Sequence, residues 1–371
     1  MNMGERVWED PDDAEAPGLE EPRWVQKRRL ILKEGGSEAY LSVSGPLTRV
    51  KPSAFKTGSR FKITPVKPSK DSFKFSGEVS SIGFDEDFRF MSVLCHKEKG
   101  LQLYTVGGRE RFKLKSKKTL FFDDFLIRDF AFKDNNILLI GKNKKLLKYD
   151  VKSGLGQNIF NVMVPRTEIA YKQIVTSKHT NYYAIPCVNT GTILVCDFKD
   201  NLLVHNFKMN SECAGLGFID DVLISCDLDS NIYEFDVRGG KCRRKFKDPN
   251  SVHVTAFSTF NSNRNSYFAT GTKSGYVNLY RTNSDKPFKV LDNLTTEITS
   301  LKLSEEFGLF SSVHKKNSVR LVYNDNYNVV ANWPNSTSNL GRITALEYFQ
   351  PLDTIVLGTR AGRIHFHTIK K

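Results

Sequence analysis

The sequence predicts an all-β protein, a seven-bladed β-propeller, and three observations carry that prediction. A unit recurs at a mean spacing near 44 residues, its strands alternate with period two, and hydrophobic residues make up 39% of the chain. That content, with 27 Phe and 13 Tyr, is ample for a folded core.

Each unit has an alternating strand, a polar turn, a strand of small and aliphatic residues, a second turn, and a third strand near an aromatic. The third strands read GLQLYT, LLKYD, ILVCD, IYEFD, YVNLYR, VRLVY and RIHFHT. Aligning them places Tyr104, Tyr149, Cys196, Phe235, Tyr280, Val322 and His367 at equivalent positions, 45, 47, 39, 45, 42 and 45 residues apart. A period of ~40–45 with short strands is the signature of four-stranded blades, none of which can bury both faces alone.

The first strands are expected at VSSIGF (79–84), IRDFAF (127–132), YKQIVT (171–176), CAGLGF (213–218), VTAFST (254–259), ITSLKL (298–303) and ITALEY (343–348). The second strands are expected at FMSVLC, NILLIG, YYAIPC, DVLISC, YFATGT, LFSSVH and IVLGTR. Small residues there, such as Gly271, Ser311 and Gly358, suit the crowded inner part of a tapering blade.

After His367 no sequence remains for an outer strand in the last blade, and a bare edge invites aggregation. The alternating segment RFKITPV (60–66) is the available strand, so it is expected to pair beside Arg363 to Thr368 and close the ring. Residues 1–59 mix acidic residues, Pro, Gly, Ser and Lys with little periodicity. They read as a largely flexible extension, acidic then mixed, with one short docked element near Trp24 to Leu32, ahead of a propeller at 60–371.

Charge gives the first functional hint. The 55 Lys and Arg against 41 Asp and Glu give +14 and a pI near 9.4. Residues 1–24 hold eight acidic and two basic side chains, which leaves about +20 on the remainder. A basic body of this kind attracts phosphate polyanions through counterion release. The six cysteines include no C-x-x-C pair, and no apolar stretch near the N-terminus could serve as a signal peptide, so reduced thiols in an intracellular protein are expected. No run of ~18 apolar residues suggests a membrane role, and the sequons at Asn293 and Asn335 then carry no meaning.

Catalytic chemistry has no visible residues. No G-x-S-x-G, Walker A or G-x-G-x-x-G segment occurs. His365 and His367 share one side of a strand, as i and i+2 do, but no third ligand accompanies them, and neither metal nor cofactor is expected. Asp150, Asp197 and Asp236 follow the third-strand aromatic or its equivalent, as the Asp of the WD dipeptide does in WD-repeat propellers, and are expected to bond turn amides. Basic clusters at 109–118, 141–148, 241–247 and 314–320 fall at turns or outer strands. Of these, Lys241, Arg243, Arg244 and Lys245, read as an exposed turn, are the candidate RNA-phosphate contacts, which would position RNA without reading its sequence.

The C-terminal blades go beyond a generic propeller. The ordered set Asn293 to Thr296, Val319 to Val322, Asn332 to Pro334 and Leu340 to Thr344 resembles the U3 small nucleolar RNA-associated protein 18 family. KFSGEVSSIGF (74–84), FLIRDFAF (125–132) and VWEDPDD (7–13) match it more weakly, so the resemblance covers most of 61–371 and one tail motif. That family usually has a longer extension, in which some members carry a Leu-Phe-x-x-Asp motif that docks the exosome-associated helicase. Here no such motif precedes the propeller, and the apolar residues of Leu120-Phe121-Phe122-Asp123-Asp124 read as outer strand.

The resemblance implies a non-catalytic, nucleolar scaffold subunit of the U3-containing small-subunit processome, supporting pre-18S rRNA processing and small-subunit assembly. Other processome propellers, a helical-repeat subunit, and pre-rRNA or U3 RNA through its phosphates are the implied partners. The rival readings are a WD-repeat adaptor holding a peptide at the channel of another nuclear complex, and a propeller enzyme. Arg or aromatic residues at the channel mouth would favour the first, and convergent carboxylates or histidines the second.

Overall fold

The computed structural model describes residues 61–66, 73–96, 98, 100–107, 112–122, 125–142, 144–159, 170–262, 266–335 and 338–370. The expectations for residues 1–59 lie outside the described residues. Seven four-stranded antiparallel sheets are present, each ordered inner, second, third and outer strand. They are blade 1 (79–121), blade 2 (127–159), blade 3 (175–208), blade 4 (213–247), blade 5 (254–291), blade 6 (300–329) and blade 7 (343–370). Each inner strand packs against those of the two neighbouring blades, and blade 7 packs against blade 1, which closes the ring.

The aligned third-strand residues all occupy one structural position. Tyr104 lies opposite Met91, Tyr149 opposite Ile137, Cys196 opposite Tyr183 and Phe235 opposite Leu223. Tyr280 lies opposite Phe268, Val322 opposite Gly308 and His367 opposite Ile355. In every blade the partner is the second residue of the second strand. Second and third strands such as Asn136–Gly141 and Thr192–Asp197 are buried almost throughout, because both faces meet another blade. They therefore read as continuous apolar runs, while outer strands such as Leu203–Lys208 keep the alternation of a half-solvated edge.

Blade 7 is completed by the expected segment. Lys62–Val66 pairs antiparallel with the last strand, from Lys62 opposite Lys370 to Val66 opposite Phe366, two residues further along than the sequence suggested. Phe61 anchors it, with its ring 4.9 Å from Tyr323 and 5.6 Å from Phe307 of blade 6, and its carbonyl accepts a hydrogen bond from Asn332.

Around the axis, small polar side chains stitch one inner strand to the next. Thr176 donates to the Phe132 carbonyl, Thr255 to that of Ile298, Ser300 to that of Thr344 and Thr344 to that of Val79. Asp129 accepts the Ile174 amide. A bulge recurs near the start of the inner strand in five blades, for example between Val254 and Ala256. The expected small residues sit where adjacent blades crowd: a Cβ on Gly358 would lie 2.6 Å from Val79 Cγ1, and one on Gly271 2.7 Å from Ile298 Cγ2.

Several elements differ from expectation, and the inner strand of blade 6, expected at 298–303, is only Ser300–Leu303. The inner strand of blade 3 is only Val175–Thr176, and Tyr171 makes an isolated bridge to Cys187 instead of extending it. In blade 6 the second strand is Phe307–Ser311, because Ser312 already belongs to the turn, its amide bonded to the Ser318 carbonyl.

Candidate nucleic-acid interface

The strongest candidate from sequence, 241–247, is the outer strand of blade 4, Lys241–Lys247, and not a turn. Lysine and arginine dominate it because only one of its faces meets protein. Phe246, partly buried and 5.9 Å from the Tyr280 ring, supplies much of the inward contact. Lys241 pairs with Asp236, Arg244 with Glu234 and Lys245 with Tyr233 across the ladder, and the register shifts at Glu234/Phe235, beside Arg243.

This strand carries its own counter-charges. Arg243 holds Asp236 through Nε at 3.0 Å and a second nitrogen at 2.7 Å. Asp236 also accepts the Arg238 and Gly239 amides, and the Gly239 bond first, then Arg243, keeps its carboxyl below the usual range. Arg244 bonds Glu234 and, at 2.7 Å, Asp285, with its guanidinium 4.8 Å from the Phe246 ring centre. Lys245 stands 5.2 Å from the Tyr233 ring. The four cations are brought together as expected, but the two arginines are engaged by carboxylates, which leaves Lys241 and Lys245 as the ones without such a partner among the described residues.

The other basic clusters divide between two surfaces. Lys113, Lys115, Lys117 and Lys118 lie on the outer strand of blade 1, where Lys118 donates to the Tyr149 hydroxyl at 3.0 Å. Lys142, Lys144 and Lys145 form the turn between second and third strands of blade 2, and His314 to Lys316 the same turn of blade 6. In this antiparallel order, those turns share one face of the disk with the connections between blades; the other turns form the opposite face. Asp150, Asp197 and Asp236 bond turn amides as expected, the first two at Lys152 and Lys199.

Leu120 is buried in the outer strand of blade 1, Phe121 is 69% exposed, and Phe122 packs on Phe125 and Tyr149. Asp123 and Asp124 lie outside the described residues. His367 is buried, 5.7 Å from Trp333, and burial, then His365, lowers its pKa to about 4. Among the described residues no three His, Cys, Asp or Glu gather as a metal site. Five cysteines are buried, and burial pushes Cys95, Cys196 and Cys213 up to about 12, so they persist as thiols.

The sequence reading missed one charged convergence. Lys133 donates to the Ser177 carbonyl at 2.8 Å and stands 3.7 Å from Glu86, and Lys302 is paired with Glu347 at 2.8 Å. Lys178 feels Lys302, Glu347 and Glu86, and burial first, then Lys302, lowers its pKa. These side chains come from blades 1, 2, 3, 6 and 7, so only closure of the ring assembles them. Lys133 and Lys302 are each paired with a glutamate, while Lys178 has no carboxylate in ion-pair range among the described residues.

No family model matches the chain. It is 28% identical over 300 residues to the U3 small nucleolar RNA-associated protein 18 homolog of Arabidopsis thaliana, covering 78% of this chain and 54% of that protein. This chain is similar to U3 small nucleolar RNA-associated protein 18. The mouse homolog matches at 26% over 316 residues, 81% of this chain and 56% of its own length. The probable Schizosaccharomyces pombe protein of that name matches at 33% over 164 residues, 40% of this chain and 31% of its own length. The chain spans about half the length of the longer-matching relatives. The resemblance read from the turns and strands is thus borne out over most of the propeller.

Proposed function

We propose that the chain is a non-catalytic scaffold subunit of the U3-containing small-subunit processome, acting in the nucleolus in pre-18S rRNA processing and small-subunit assembly. The observation that carries this reading is the similarity to proteins named for association with U3 small nucleolar RNA, which extends over 78% of the chain. A closed ring of seven sheets supports it physically, since such a disk offers two faces and a rim to several partners at once. The partners are other processome propellers, a helical-repeat subunit, and pre-rRNA or U3 RNA through its phosphates. Lys241 and Lys245 remain candidates for part of that RNA contact, with Arg243 and Arg244 held back by Asp236, Glu234 and Asp285.

Purification of the tagged full chain from cells, followed by identification of bound RNA and protein, tests the reading. U3 RNA and pre-rRNA should co-purify with other propeller subunits. Recovery with a different nuclear complex and without U3 RNA would reject it.

A further inference from the structure

The cations of the connecting face are better placed for RNA than those of blade 4. The turn His314 to Asn317 of blade 6 is tied to the link into blade 7, because the Asn317 amide bonds the Gly341 carbonyl and Asn317 Oδ1 accepts the Leu340 amide, each at 2.8 Å. Arg342 follows directly, and its carbonyl accepts the Arg360 amide at 2.9 Å from the next turn. That turn runs to Arg363, which forms a bridge with Lys74 as the chain enters blade 1. Gly362 makes the junction possible: its φ is +73°, and a Cβ there would lie 2.4 Å from the Phe75 carbonyl oxygen.

Lys315, Lys316, Arg342, Arg360, Arg363 and Lys74 therefore form one arc across blades 6, 7 and 1, every one exposed; backbone bonds hold Arg342, Arg360 and Arg363, a bridge holds Lys74, and the bonded Asn317 adjoins Lys316. The acids beside it are few and engaged. Glu297 faces His314 at 3.2 Å, Glu98 accepts from Ser76 and Gln102, and Glu78 stands 4.0 Å from Arg360. Lys316, Arg342, Arg363 and Lys74 have no carboxylate in ion-pair range among the described residues. In the blade 4 strand, by contrast, both arginines are neutralised in place.

We infer that this arc is the principal RNA-phosphate surface of the chain, an inference that rests on the proposed role in an RNA assembly. An acidic protein is the competing occupant, and the composition of the arc disfavours it. Protein interfaces centre on an apolar, aromatic-rich core, whereas all six side chains of the arc are cations, and the three most exposed large hydrophobics among the described residues lie elsewhere: Phe121 ends the outer strand of blade 1, Leu155 is in blade 2 and Val252 lies between blades 4 and 5. Phosphate contacts need only positioned cations and amides.

The test uses the full chain and a fluorescent poly-uridine oligoribonucleotide, with anisotropy measured across a salt series. Changing Lys316, Arg342 and Arg363 together to Glu should lower affinity roughly tenfold or more and flatten the slope of log K against log salt by about 2. The paired change Lys241→Glu with Lys245→Glu should cost less than half of that slope. Because all five positions are exposed, unchanged melting curves should accompany both variants. Wild-type binding by the triple variant overturns the inference and leaves the RNA reading standing. Loss of a poly-glutamate peptide with RNA binding intact overturns it in favour of an acidic protein. Absence of RNA binding by the unchanged chain at low salt overturns both the arc and the direct RNA contact, while U3 co-purification still judges membership of the assembly.

Discussion

Blades 4 and 7 are built to the same four-strand plan by different means. Blade 4 is one continuous stretch, 213–247, whereas the outer strand of blade 7 comes from Lys62–Val66, some three hundred residues earlier in the chain. The position ending the second strand makes the contrast chemical. In blade 4 it is Asp227, wholly buried, bonding the Asn231 amide and side chain at 2.8 Å and the Tyr233 hydroxyl at 3.0 Å. In blade 7 it is Thr359, whose hydroxyl accepts the Arg363 amide at 3.0 Å and donates to the Arg363 carbonyl at 2.9 Å. A buried carboxylate and a hydroxyl close the same turn, so the turn geometry is fixed and the chemistry that satisfies it is free to vary.

The largest effect expected follows from that pair. Asp227→Ala leaves the buried Tyr233 hydroxyl and two half-buried Asn231 donors without their acceptor, and unsatisfied buried donors cost about 1–3 kcal/mol each before relaxation. We expect a loss of about 4 kcal/mol in denaturant unfolding, against about 1 kcal/mol for Thr359→Ala, where a turn can reach water. Equal losses would mean that the blade 4 network adds nothing to the turn.

A second difference is pH. His367 sits in the third strand of blade 7 where blade 4 has Phe235. Its pKa is lowered to about 4 from 6.5 by burial, so below pH 6.5 the unfolded chain takes up a proton that the folded one refuses. Stability from this group is complete above pH 6.5 and is lost as pH falls toward 4, by about 3 kcal/mol in all. His367→Phe, which makes blade 7 like blade 4 here, should flatten that loss in melting curves between pH 7 and 4. Asp129 works the other way: burial raises its pKa to about 6, so its contribution falls as pH rises from 3.8 through 6. The variant must therefore be compared with wild type at each pH.

Packing between blades gives a smaller effect. Gly358 of blade 7 lies opposite Ala345, and the matching Cys226 of blade 4 lies opposite Gly215, so one small and one larger residue share each site. Gly358→Val drives methyls into Val79 across the closing junction and should cost about 2 kcal/mol. Cys226→Ala removes one buried atom and should cost about 1 kcal/mol.

Much of this was legible in the sequence, and the failures have physical causes. All seven third strands could be placed because burial on both faces demands aliphatic or aromatic residues at a fixed step, so Tyr104 to His367 kept one register. The segment at 60–66 could be foreseen because a sheet edge needs covering. The 241–247 strand was misread as a turn because an outer strand buries little: only Phe246 marks its inner face among five cations. The convergence of Glu86, Lys133, Lys178, Lys302 and Glu347 left no local sign, since it exists only when blades 1, 2, 3, 6 and 7 meet around the axis. The basic arc escaped for the same reason, its cations lying in links of blades 6, 7 and 1 that no single window of sequence contains.

The smallest effect expected returns to blade 4 and asks whether its arginines are restrained or irrelevant. Asp236→Asn keeps an oxygen for the Arg238 and Gly239 amides, so the turn should hold. It removes the charge that fixes Arg243, turning an internally neutral pair into a free cation on an exposed strand. If the strand lies near bound RNA, the released guanidinium adds one phosphate contact and steepens the salt slope by roughly 0.7. Because exposed ion pairs are weak, the gain in affinity should stay below about fivefold. The same substitution leaves the arc on blades 6, 7 and 1 untouched, so a gain would measure blade 4 alone. An unchanged slope would mean that RNA never comes near this edge, and that the four cations of Lys241 to Lys245 are a solvated rim.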